Sequence, residues 1–175
     1  MTYLGGVISC DGRANAEIIR RIGEGRVIFE QLHKLWRHAN ITIKKKIEIY
    51  KACVVSKILY SLESLWLLKN DCARLDAFHY MCLRKMLKIP HSFISRISND
   101  IVLERAGEKK LSTLLEERQI KIFRKIQMLP LDNHLRKLVC DNDGNPVIWY
   151  QRRRRGRPRQ EWTNSIYRKI VNDIR

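Results

Sequence analysis

The 175-residue chain carries 35 Lys and Arg against 18 Asp and Glu, a formal charge of +17, and its 45% hydrophobic content is that of a chain that folds around a core rather than a disordered one. Its longest apolar stretch, residues 58–68, is interrupted by Glu63 and falls short of the roughly 18 apolar residues that a membrane span needs. The charge therefore points to an acidic partner, with nucleic acid favoured over an anionic membrane face.

In chain order, residues 3–9 (YLGGVIS) are short, β-branched toward their end and closed by the turn signal Asp11-Gly12, which predicts one strand. A lone strand leaves its ladder groups unpartnered, so residues 1–12 are read as an edge that either pairs with another part of a larger protein or stays frayed. Residues 14–36 place Ile18, Ile22, Phe29, Leu32 and Trp36 at helical spacing, with Gly25 where Leu or Ala is expected. Thr42 is suited to cap a second helix, expected to be the longest, with Ile43, Ile47, Tyr50, Val54, Ile58 and Leu62 on one face. A third opens at Asn70 or Asp71, runs through Leu75, Phe78, Cys82, Met86 and Ile89, and is stopped by Pro90. Ser98 caps a short fourth that ends at Gly107, and Thr113-x-x-Glu116 reads as a capping box for a fifth carrying Ile122, Phe123, Ile126 and Leu129. The expected fold is mainly α, a five-helix bundle over residues 13–130.

Beyond Pro130, residues 131–159 read as a linker with a brief helix over 134–139, a dense turn cluster at 141–146 and a short apolar patch before the arginines. Residues 160–175 form a terminal amphipathic helix, with Trp162, Ile166, Ile170 and Ile174 four apart. Trp36, Trp66 and Trp162 all sit in apolar periodic segments and read as core anchors rather than base-stacking platforms.

The most informative local feature is the tract Arg152, Arg153, Arg154, Arg155, Arg157, Arg159. Six guanidiniums this close repel one another and favour an extended chain until a polyanion neutralises them. Arg155-Gly156-Arg157-Pro158 looks like an AT-hook, whose arginines lie along a narrow A·T minor groove; a nuclear-localisation or generic polyanion tract is the plainer reading. Arg20, Arg21, Lys44, Lys45, Lys46, Arg84, Lys85 and Lys88 are expected on the polar faces of their helices, as a nucleic-acid-binding surface or simply a solvated one.

The scattered, odd-numbered cysteines (Cys10, Cys53, Cys72, Cys82, Cys140) argue against a disulfide framework and for a reducing compartment, nuclear or cytoplasmic. The N-terminus lacks the basic n-region of a secretory signal. His79 and Cys82 lie three apart but lack a second close pair, so core packing is preferred to zinc and no metal site is assigned. No adjacent aspartates, phosphate loop, HExxH or GxSxG is present, so no catalytic residue is assigned.

Tyr3-Leu4-Gly5-Gly6 with Asp11-Gly12-Arg13, then Lys46-x3-Tyr50, Ile58-Leu59-Tyr60-Ser61-Leu62-Glu63-Ser64-Leu65-Trp66, Cys82-Leu83-Arg84-Lys85 and Arg155-Gly156-Arg157-Pro158-Arg159-x2-Trp162 follow one another along the chain. In this order they resemble the C-terminal region of non-LTR (LINE-type) retrotransposon reverse transcriptases. The resemblance implies that Tyr3, Leu4 and Gly5 belong to a palm edge beside the primer grip. It also implies that the helices form a thumb that holds DNA, RNA or a hybrid duplex. The palm, with its Mg²⁺-binding aspartates, would lie upstream of Met1, so the chain by itself is expected to have no polymerase activity and no cofactor. The alternatives are a non-enzymatic DNA-binding module built on the Arg-rich hook and an inactive relic. Self-association or contact with the missing polymerase domains is also expected, through an apolar patch on the first helix.

Overall fold

The computed structural model describes residues 2–3, 6–7, 13–147 and 161–173, and the fold they form is mainly α-helical. Two compact units divide the chain, Met1–Leu115 and Glu116–Arg175.

The first unit opens with β1 (Thr2–Tyr3) and β2 (Gly6–Val7), which pair antiparallel with Thr2 opposite Val7 and Tyr3 opposite Gly6. The expectation of a single unpaired strand is thus corrected: the segment folds back and supplies its own ladder partner. The Val7 amide donates to Glu17 Oε2 at 2.9 Å, which ties the hairpin to α1 (Asn15–His38). Glu17 is buried and also accepts from Arg21 Nε and Arg20 Nη2, each at 2.6 Å. Burial pushes the Glu17 carboxyl up, but these donors outweigh it and hold the group below its ordinary value.

Thr42 caps α2 (Ile43–Tyr50) as expected, its hydroxyl accepting from the Lys45 amide at 3.4 Å. The predicted long helix is then interrupted by a π-helical turn over Lys51–Val55, resumes as α3 (Ser56–Leu59), and gives way at Ser61, which has φ 63°. Its uninterrupted length is therefore shorter than that of α1, and Leu62 reaches the core from a 3₁₀ turn, not from the helix. The wider π turn brings Val54 and Val55 inward together, followed by Ile58 and Leu59. Ile43, expected on the buried face, is exposed.

The core of this unit centres on Phe29, whose ring meets Trp36 edge-on at 6.2 Å and Tyr50 at 5.9 Å. Gly25 is required by packing: a Cβ there would lie 2.6 Å from Ile58 Cδ1 and 2.7 Å from its Cγ1. Alanine would gain up to about 1 kcal/mol of helix propensity, but overpacking a fully buried, β-branched neighbour costs about 1–3 kcal/mol. Gly25→Ala is therefore expected to lower the urea midpoint, whereas the same change at Gly23, where nothing lies within 4 Å, should raise it. A stabilised Gly25→Ala protein would refute the close approach.

α4 (Lys69–Leu87) begins with the Asp71 carboxylate accepting from the Leu68 amide at 3.1 Å and ends at Lys88, φ 56°, two residues before Pro90. A one-turn helix that the sequence reading missed, α5 (Ser92–Ser95), follows, and then α6 (Asn99–Ala106), which is capped by Ser98 and closed by left-handed Gly107 as expected. The start of α7 (Leu111–Gln127) corrects the predicted capping box, because Thr113 lies inside the helix. The first turn is capped through space by Asp76 of α4, which accepts from the Ser112 amide at 2.9 Å and the Ser112 hydroxyl at 2.7 Å. A carboxylate at a helix N-terminus meets free amides and the positive end of the dipole.

In the second unit, the segment read as linker carries α8 (His134–Val139), at the predicted bounds and capped by Asn133, and a turn closed by a Cys140–Pro146 bridge. Arg136 anchors the segment by donating to the carbonyls of Gln127 and Leu129, each at 2.6 Å. α9 (Trp162–Asp173) buries Ile166 and Ile170 with Phe123 and Cys140. Its Trp162 ring meets Phe123 at 6.2 Å, and the Tyr167 hydroxyl donates to Asn145 at 2.8 Å. The terminal helix is thus packed, because its four-residue apolar repeat matches the face that α7 offers.

Candidate nucleic-acid interface

The helix-face cations separate into three groups. Arg21 and Arg84 are buried, which corrects their expected place on polar faces. Arg21 lies against Glu17 and over the Tyr60 ring at 4.9 Å. Arg84 is a clamp: it donates to the Pro90 carbonyl at 3.0 Å, the Ile97 carbonyl at 2.6 Å and Asn99 Oδ1 at 3.0 Å, which fixes the 90–99 segment and α5 within it. Planar, always charged and rich in donors, a guanidinium can satisfy several carbonyls from one buried position.

The second group consists of cations already matched by carboxylates: Arg20 by Glu17 and Glu24, Lys45 by Glu48 at 2.9 Å, and Lys85 by Glu30 at 2.5 Å. The exposed Lys45–Glu48 and Lys85–Glu30 pairs contribute little to stability, but every pair of the group reduces the net charge that its cation presents.

Lys44, Lys46 and Lys88 form the third group, with no carboxylate at ion-pair distance among the described residues. Lys46 and Lys88 meet in a cleft of about 720 Å³ between the end of α1, the 39–42 connection, the start of α2 and the end of α4, where Arg37, His33 and Lys85 join them. No acidic residue lines it. The helices explain the concentration of charge: α1 and α4 both end here, and the negative ends of their dipoles favour basic last turns, which bring Arg37 and His38 from one and Lys85 from the other to the cleft. The field is felt locally, since His33 is held below its ordinary value by burial first and the Arg37 charge next. Such a cleft can neutralise backbone phosphates.

Sequence reasoning missed His33, Arg37 and His38. The signal available was Arg37-His38 a few residues before the Thr42 cap, a basic last turn facing a basic first one. The six arginines between 152 and 159, together with Leu4 and Gly5, lie outside the described residues, and Tyr3 stands in β1. His79 and Cys82 are buried in the core, where the Tyr50 hydroxyl bonds His79 Nδ1 at 2.8 Å and burial pushes the Cys82 thiol up to about 12. No group of three or more His, Cys, Asp or Glu side chains suited to a metal is found among the described residues, and none of their helices is long and apolar enough to cross a membrane. Comparison with known protein families, curated proteins and solved structures finds no match to this chain.

Proposed function

We propose that the chain binds nucleic acid through its phosphate backbone, as the thumb-like C-terminal part of a non-LTR retrotransposon reverse transcriptase whose catalytic palm is not in these residues. The observation that carries the reading is the cleft in which Arg37, Lys46, Lys85 and Lys88 converge with no acidic lining. The +17 charge, the arginine tract and the serial order of the motifs that resemble that family support it as well. On this reading the chain's own residues hold a duplex and carry out no chemistry.

The test is the salt dependence of duplex binding. At roughly 0.9 per phosphate contact, the triple variant Arg37→Ala, Lys46→Ala, Lys88→Ala should reduce the magnitude of the slope of log K against log salt by about 3. A charge-matched triple on α7, Lys121→Ala, Arg124→Ala, Lys125→Ala, should reduce it less. The thumb assignment further requires a preference for duplex or RNA–DNA hybrid over single strands that survives loss of the arginine tract. Absence of binding to any nucleic acid at low salt would remove the reading altogether.

A second reading rests on Arg155-Gly156-Arg157-Pro158. If this tetrapeptide lies in a minor groove, Arg155→Ala with Arg157→Ala should cost A·T-rich sites more affinity than G·C-rich ones, because the narrow A·T groove concentrates negative potential.

A further inference from the structure

A second cleft, of about 640 Å³, opens along α4 between it and the 89–99 segment that Arg84 clamps. Its floor is apolar and made of small or slender side chains, among them Ala73, Ala77 and Met81. Tyr80 and Asn99 stand in its wall with hydrogen-bonding capacity to spare: the Asn99 oxygen accepts from Arg84, while its NH₂ and the Tyr80 hydroxyl have no hydrogen-bond partner among the described residues. At the lip, the His91 ring lies 5.0 Å from the ring of Phe93, which is 77% exposed on α5. An apolar cleft of a few hundred Å³ with a few convergent polar groups has the character of a small-ligand site.

Lys85 decides what that ligand is, because it lines both this cleft and the basic one. The two clefts therefore adjoin at Lys85, and a strand whose phosphates lie in the basic one has its next base within reach of the apolar one. A base has flat apolar faces for the alanine floor and the aromatic lip, and edges for Tyr80 and Asn99. In a duplex those faces are stacked and unavailable, so the cleft suits only a nucleotide outside the stack. A second copy of the chain is a poor occupant, since both copies carry the same +17 charge.

We propose that the α4 cleft takes up one unpaired nucleobase from a strand whose phosphates occupy the adjoining basic cleft. The inference rests on the nucleic-acid reading above and gives the interface a preference for irregular structure: a bulge, a frayed end or a junction.

The experiment compares three duplexes of the same sequence, one fully paired, one with a single bulged nucleotide and one with an abasic residue at the bulge. The intact chain should bind the base-containing bulge about 10-fold more tightly than the abasic one, within the range that one base stacked on a protein ring contributes. Ala77→Trp and, separately, Ala73→Trp fill the cleft from exposed positions and should abolish that preference while leaving affinity for the paired duplex and its salt slope unchanged. Unaltered circular dichroism and melting would show that both variants fold. Equal affinity for the two bulges with duplex binding intact overturns this inference alone, and loss of duplex binding by the unmodified chain overturns the functional reading beneath it. Capture of a Leu- and Phe-rich peptide that Ala77→Trp prevents, with no bulge preference, would reassign the cleft to a protein partner.

Discussion

Replacing Arg152, Arg153, Arg154, Arg155, Arg157 and Arg159 with alanine should remove a contribution of about −5 from the salt slope of duplex binding, if each arginine neutralises one phosphate at roughly −0.9 per contact. Between about 50 and 200 mM salt, the intact chain should then lose on the order of 10³-fold more affinity than the variant. The loss at low salt should be nearly uniform across sequences, because phosphate contacts carry no base information. Fluorescence anisotropy at four salt concentrations measures it. Substitution is preferable to deleting 151–175, since Ile166 and Ile170 of α9 are part of the second unit's core and truncation would confound charge with folding. Equal slopes for the two proteins would place the arginines away from the nucleic acid.

Acid should destabilise the first unit through His79. Burial is the main reason its pKa falls from 6.5 to about 4, and the ring is fully enclosed, with Tyr50 stacked on it at 5.6 Å. The unfolded chain, with an ordinary histidine, takes up a proton first as the pH drops, so it binds more protons than the folded state between these two values. The stability contributed by the neutral ring is thus fully present above about pH 6.5 and is lost as the pH falls toward 4, a total of about 3 kcal/mol. His33, also held below its ordinary value by burial, acts in the same direction. Glu17, a carboxyl held low by its donors, loses its contribution only at lower pH, below the ordinary carboxylate range. Urea midpoints at pH 7, 5.5 and 4.5 should fall for the native chain and stay flatter for His79→Gln, whose amide can still meet the Tyr50 hydroxyl. Parallel pH profiles for the two proteins would sink the assignment.

The candidate interface was partly legible in the sequence. Lys46, Lys85 and Lys88 could be picked out as basic positions on helices, but nothing local distinguishes Lys88, which lies in a cleft, from Arg84, which is consumed by the carbonyls of Pro90 and Ile97. Both are cations near the end of the same helix. Whether a guanidinium is free depends on which backbone groups of a later segment return to meet it, and that is a property of packing. The cleft between Tyr80 and His91 left no sequence signal, because it is made by α4 facing a segment whose one-turn helix is too short to have a periodicity.

The sequence by itself determined what is encoded within a turn or two of backbone: the helical class, the caps at Thr42 and Ser98, the left-handed stop at Gly107 and the bounds of α8. Each follows from hydrogen bonds or dihedral preferences between residues a few positions apart. Tertiary structure decided the rest. It capped α7 with Asp76 in place of the local Thr113 box, tied the N-terminal hairpin to α1 through the Val7 amide and the buried Glu17 carboxylate, and required glycine at position 25 against Ile58. In every such case the deciding atoms are brought together by packing, so a close approach or a buried partner outweighs the few tenths of a kcal/mol to about 1 kcal/mol that a local preference contributes.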